Sequence, residues 1–155
     1  MIQLRFYTTG MINDRVLYST LAFAGVLPFL ACALLPLAGV SQVEPFGRLD
    51  QVANSYGLAI VCFLAGIHWA TSLLSPDRTP FNLFIVSNVV FLVTWFAFVL
   101  AETKWSLITE CAALIVLLLI DRKLANSEVI SRSYLQARIV ATVLASAALI
   151  LIALN

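Results

Sequence analysis

Between Tyr56 and Leu74 the chain reads YGLAIVCFLAGIHWATSLL, a run without Asp, Glu, Lys or Arg that contains one histidine, His68. A helix that crosses a hydrocarbon core of about 30 Å needs roughly 20 mostly apolar residues, so this stretch is read as a membrane span. His68 is the only histidine in the chain. An ionisable ring at membrane depth marks a functional-site candidate by default.

Working outward, four more stretches have spanning character: Val16 to Val40, Phe81 to Ala101, Trp105 to Ile120 and Leu135 to Leu154. The fourth in chain order is the shortest and is expected to borrow a turn from its flanks. Hydrophobic residues make up 62% of the 155-residue chain and charged ones 11%, against about half and about a quarter in soluble domains. The spans lack the two-residue alternation of barrel strands, so helices must satisfy the backbone in lipid. The expected fold is an all-α membrane protein, a bundle of five transmembrane helices forming a single integral membrane domain over residues 1–155. The first apolar run is longer than a cleavable leader and is read as retained.

Basic residues orient such a bundle, because short cytoplasmic loops hold the excess of Lys and Arg. One set of alternate segments holds Arg5, Arg15, Arg78, Arg122, Lys123, Arg132 and Arg138; the other holds Arg48 and Lys104. This places the N-terminus in the cytoplasm and the C-terminus outside, in a multi-pass protein of the bacterial inner membrane. Met1 to Arg15, with Phe6 and Tyr7 beside Arg5, is expected to lie on the membrane surface. Ser41 to Val52 reads as an external turn. The prolines of Ser75 to Pro80 are expected to end one helix and begin the next. Asp121 to Tyr134, the longest polar stretch, reads as a docking surface for a cytoplasmic partner. A net charge of +1 argues against nucleic acid, which needs a concentrated basic surface. The expected partners are the lipid bilayer and another membrane protein.

At about 1.5 Å of rise per residue, His68 lies roughly 10 to 12 Å from the inner surface. Ser87, Asn88 and Thr142 reach a similar depth, and Trp69 adjoins the histidine. His68, Trp69, Ser87, Asn88 and Thr142 are therefore the candidate ligand-binding set. Gly25 and Pro28 lie at or above that level, where proline breaks the hydrogen-bond ladder and opens space. The competing reading of His68 is structural, a ring hydrogen-bonded to Asn88 or to a freed carbonyl across a helix interface. Asp121 and Arg138 are expected to form an ion pair that fixes the inner hairpin, with Tyr134 anchored at the interface. Small-residue stripes, Cys62, Gly66 and Ala70 on the second span and Ala137, Ala141 and Ala145 on the fifth, are assigned to the bundle interior.

Cys32, Cys62 and Cys111 share a depth in the outer half, with Glu110 beside the last. No paired spacing supports a metal, and such cysteines usually pack as small hydrophobes. The chain has no glycine-rich phosphate loop, no nucleophile elbow and no zinc helix, so it is read as a non-enzyme with no metal.

Gly25 with Pro28 and Phe29, Tyr56 and Gly57, the stretch FLAGIHW from Phe63 to Trp69, then Trp95, Asp121, Tyr134 and Arg138 together resemble the domain-of-unknown-function family 3429, that of transmembrane protein 69. The resemblance covers about Val16 to Leu154. Ala65 and Ala70 stand where family members tend to carry glycine, and Asn88 where proline is expected. The resemblance implies a small multi-span membrane protein and no established activity or cofactor. Two functions are compatible with the residues. One is an accessory or assembly factor acting through membrane partners; the other is a protein that binds or transports a porphyrin, quinone or lipid in a pocket around His68.

Overall fold

The computed structural model describes residues 16–155. The expected surface segment Met1 to Arg15 lies outside the described residues. Five helices are long and apolar enough to cross a membrane: α1 (Val16–Ala38), α2 (Leu49–Leu74), α3 (Leu83–Leu100), α4 (Thr103–Asn126) and α5 (Arg132–Leu154). Their outward faces carry large apolar side chains, among them Phe63, Leu73, Val93, Leu119 and Val143. So much contiguous apolar surface suits lipid rather than water.

Helix α1 is broken. A turn at Gly25 and Val26 separates helical residues 16–24 from Leu27–Leu34. Pro28 falls in the first turn of the second half, where its missing N–H is tolerated. The Gly25 carbonyl at the break accepts a hydrogen bond of 2.9 Å from the Tyr56 hydroxyl. A short antiparallel hairpin, β1 (Gln42–Val43) and β2 (Gly47–Arg48), then leads into α2.

Helix α2 begins at Leu49, well before the expected Tyr56. Leu49, Ala53, Gly57 and Val61 recur every fourth residue and are all buried, so the apolar stripe continues through polar Asn54 and Ser55. Asp50 sits in the first turn, where the helix dipole favours a negative charge. It also pairs with exposed Arg48 at 2.7 Å and raises that guanidinium above its ordinary pKa by hydrogen bonding. The expected loop from Ser41 to Val52 is therefore hairpin and helix.

Between α2 and α3, Pro76 opens a short 3-10 turn, Pro76–Arg78. Helix α3 starts at Leu83 rather than at Pro80, because the Asn82 side chain caps it by accepting the Ile85 N–H at 3.2 Å. Helix α4 runs past Ile120 to Asn126, with Asp121, Leu124 and Ala125 turned inward. It ends where Glu128 adopts φ 57° and the Val129 N–H reaches the Leu124 carbonyl at 2.9 Å, the hydrogen bond of a Schellman turn. Much of the segment Asp121 to Tyr134, read from sequence as a docking loop, thus belongs to helices and their buried faces.

Consecutive helices pack against one another, and in addition α2 packs on α4 and α1 on α5. The pair α2 and α4 is central, with α3 on one side and α1 and α5 on the other. Short connections make α2 and α4 run parallel. Ala137, Ala141 and Ala145 face the interior. Cys62, Gly66 and Ala70 do not: Gly66 and Ala70 are exposed and Cys62 half-buried. The interior face of α2 is instead the one that carries Gly57, Val61, Leu64 and His68, on nearly the opposite side of the helix.

Candidate functional site

Three helices meet at one carboxylate. Asp121 on α4 accepts a hydrogen bond from Arg138 Nε of α5 at 2.9 Å through Oδ2, and its Oδ1 lies 2.8 Å from His68 Nε2 of α2. All three side chains are buried, His68 at 2%, Asp121 at 3% and Arg138 at 8% exposure. A buried charge is tolerable only when paired and hydrogen-bonded, and here the Arg138 charge faces the Asp121 charge directly. Because an ionised carboxylate only accepts, the ring nitrogen facing Asp121 is the donor. His68 Nδ1 is left without a partner, as is Arg138 Nη2. The constellation can therefore accept a hydrogen bond at Nδ1 and donate one from the guanidinium.

The structure divides the residues that depth matching brought together. His68 bonds to Asp121 and not to Asn88, whose Nδ2 donates to the Phe84 carbonyl on its own helix at 2.7 Å. Ser87 is buried and likewise donates to a carbonyl one turn back, that of Leu83, at 2.6 Å. Both belong to α3, on the far side of the α2–α4 pair from Thr142. Trp69 is 44% exposed and lies edge-on against Phe84, with ring centroids 4.9 Å apart. Adjacent residues on a helix point about 100° apart, so a buried His68 turns Trp69 outward. Depth is one coordinate; helix face and neighbouring helix are two more. Thr142 is buried with its hydroxyl unpartnered and remains near Arg138, one turn away on α5.

Two cavities adjoin the site. An open pocket of about 380 Å³ reaches His68, Thr71, Asp121 and Tyr134. A cleft of about 430 Å³ between α1, α2 and α5 is walled by apolar groups such as Phe29, Phe63, Leu114 and Ala141, with Arg138 and Thr142 among its lining. Tyr18, Ile67 and Tyr134 border both. The two tyrosines meet edge to face at 5.8 Å, and the Tyr18 hydroxyl donates to Ser133 Oγ at 2.8 Å.

The contact of His68 with Asp121 is not legible from the span boundaries. A span ending at Ile120 makes Asp121 its closing residue, at the membrane surface. Continuation of α4 to Asn126 sets Asp121 more than a turn deeper, level with the histidine. The available signal was helical periodicity: Asp121, Leu124 and Ala125 extend the stripe of Leu114 and Leu117.

Among the described residues no group of three or more His, Cys, Asp and Glu side chains is placed to hold a metal. Cys32 and Cys111 are buried and Cys62 is half-buried.

No curated protein and no solved structure matches the chain. Several residues that carry the resemblance nevertheless meet in space: Gly25 with Tyr56, and Asp121 with Arg138 and the histidine of FLAGIHW. The model of the family described as protein of unknown function, DUF3429, matches residues 16–154, and the chain belongs to that family.

Proposed function

We propose that this is a membrane-embedded binding protein for an amphiphile with an anionic head, a phospholipid or a lipid-like acid, seated in the cleft between α1, α2 and α5. The observation that carries the reading is the pairing of an apolar cleft with two unsatisfied donors at its wall, Arg138 Nη2 and the Thr142 hydroxyl. Charge-assisted hydrogen bonds from a guanidinium favour carboxylate or phosphate over a neutral head. Asp121 holds the other edge of the guanidinium and so orients it. The protein binds rather than catalyses, and the whole chain acts as one integral membrane domain.

The basic-residue asymmetry supports an N-terminus in the cytoplasm, a C-terminus outside and residence in a bacterial inner membrane. With that orientation the Arg138 end of the cleft opens in the cytoplasmic half of the bilayer. Cysteine accessibility from each side, using single cysteines placed at Asp77 and Glu102, tests the topology: the position-77 thiol should react only from the cytoplasm.

The binding reading is tested by native mass spectrometry of the protein purified in mild detergent, followed by identification of retained lipids. Thr142→Val preserves shape and removes the hydroxyl; it should weaken retention of anionic lipid by about tenfold, the equivalent of one hydrogen bond. Equal retention of neutral and anionic lipids by wild type and variant would sink the proposal.

A second reading, an accessory or assembly factor, is supported by the outward face of α2. Cys62, Gly66 and Ala70 form a stripe of small residues there, and a Cβ added at Gly66 would meet nothing within 4 Å. Such a surface lets a partner helix approach closely. A stoichiometric partner recovered in mild detergent and lost with Gly66→Leu would favour it.

A further inference from the structure

The seam between α2 and α4 contains a second polar station that the amphiphile cleft does not use. Glu110 is fully enclosed, and neither of its carboxyl oxygens has a hydrogen-bond partner. Gly57 makes room for it: a Cβ there would fall on the Glu110 carboxyl group, so the carboxyl lies directly on the α2 backbone. Three residues before Gly57 stands Asn54, and four before Glu110 stands Ser106, each on the same helix face one turn away. Both are more than nine-tenths buried, and the Asn54 amide oxygen and the Ser106 hydroxyl also lack partners. Four buried, unpartnered oxygens thus lie within one helical turn of the point where Gly57 meets Glu110, and among the described residues no basic side chain pairs with Glu110. An ionised carboxylate in such a place loses its hydration with no charged partner to offset the loss.

We propose that Glu110, Asn54 and Ser106 form a site for one small monocation, a proton or an alkali ion, held between α2 and α4. All of the donors are hard oxygens, the class that suits such cations and not soft metals. A proton would convert the carboxyl to a neutral acid that donates to one of the neighbouring oxygens. An alkali ion would be shared by the carboxylate, the amide oxygen and the hydroxyl. Either removes the isolated charge, and Gly57 is the residue that allows the carboxyl to reach the seam.

Infrared spectra of wild type and Glu110→Gln in choline buffer free of alkali ions, and again in sodium, distinguish the two sources. For a proton, wild type shows a carboxylic acid band in both buffers that the variant lacks. For an alkali ion, sodium replaces the acid band by that of a carboxylate, with stoichiometric uptake of radioactive sodium that the variant loses. A Glu110 carboxylate band in the choline buffer overturns the site. If the variant fails to fold, wild type alone is treated with dicyclohexylcarbodiimide, an apolar reagent for carboxylic acids. The acid proton passes to one carbodiimide nitrogen, the carboxyl oxygen bonds the central carbon, and an acyl shift to nitrogen leaves an N-acylurea with the mass of the whole reagent added. Labelling of Glu110 that sodium leaves unchanged supports the proton, and labelling that sodium suppresses supports the alkali ion. Absence of label at Glu110, with other carboxyls labelled, counts against both.

Discussion

Gly57 and Glu110 face each other across α2 and α4 with the same 53-residue separation that joins His68 to Asp121. The two parallel helices are therefore in register over three turns, about 16 Å at 1.5 Å per residue, with a polar station at each end of the shared seam. Leu64, Leu114 and Leu117 are buried in the helices between them.

Adding a methyl group at position 57 should displace the Glu110 carboxyl. Overpacking of this kind costs typically 1–3 kcal/mol, and the gain in helix propensity from glycine to alanine, about 1 kcal/mol, offsets part of it. The decisive measurement is a double-mutant cycle of Gly57→Ala with Glu110→Ala by reversible unfolding in mixed micelles. In the Glu110→Ala background the glycine substitution should become neutral or stabilising; additive effects would mean the two side chains do not compete for space.

Removing Asp121 leaves the Arg138 charge buried alone. Asp121→Ala should destabilise the protein by about 3–5 kcal/mol, the usual consequence of breaking a buried pair. Replacing both partners, Asp121→Leu with Arg138→Met, should recover most of that loss. A double variant as unstable as the single one would show that the pair does more than neutralise itself.

Tyr56→Phe deletes the hydroxyl that donates to the Gly25 carbonyl at the break in α1. The expected loss is about 1 kcal/mol. Hydrogen exchange should report it locally, with faster exchange confined to amides around the break between residues 24 and 27.

The three cysteines should differ in reactivity toward a lipid-soluble maleimide. Cys62 is half-buried on the outer side of α2, whereas Cys32 and Cys111 are buried. Mass mapping should find Cys62 modified first. Simultaneous modification of all three would contradict the assignment of helix faces.

Much of this was legible from composition and hydropathy, because the energy of placing a residue in lipid is a property of that residue. Hence the number of spans and their helical character follow from local sequence, and the ends of α1, α3 and α5 fall within a few residues of those expected. The start of α2 and the end of α4 were harder. Polar Asn54, Ser55 and Asp121 look like loop residues until a neighbouring helix supplies their surroundings. The same limit affected the small-residue stripes: alanines at 137, 141 and 145 turned inward while Cys62, Gly66 and Ala70 turned outward, although the spacing of the two stripes is identical.

The candidate site shows the division most clearly. Sequence by itself determined that His68 lies at membrane depth, that Asp121 and Arg138 are close enough in the chain to meet across a hairpin, and that five apolar helices carry them. Only the tertiary structure decided that His68 turns toward Asp121 rather than Asn88, that Trp69 faces away, and that Glu110 rests on Gly57. Depth along a helix accumulates residue by residue and can be counted. The direction a side chain faces becomes contact only through the register between helices, which is set by packing among residues far apart in the chain.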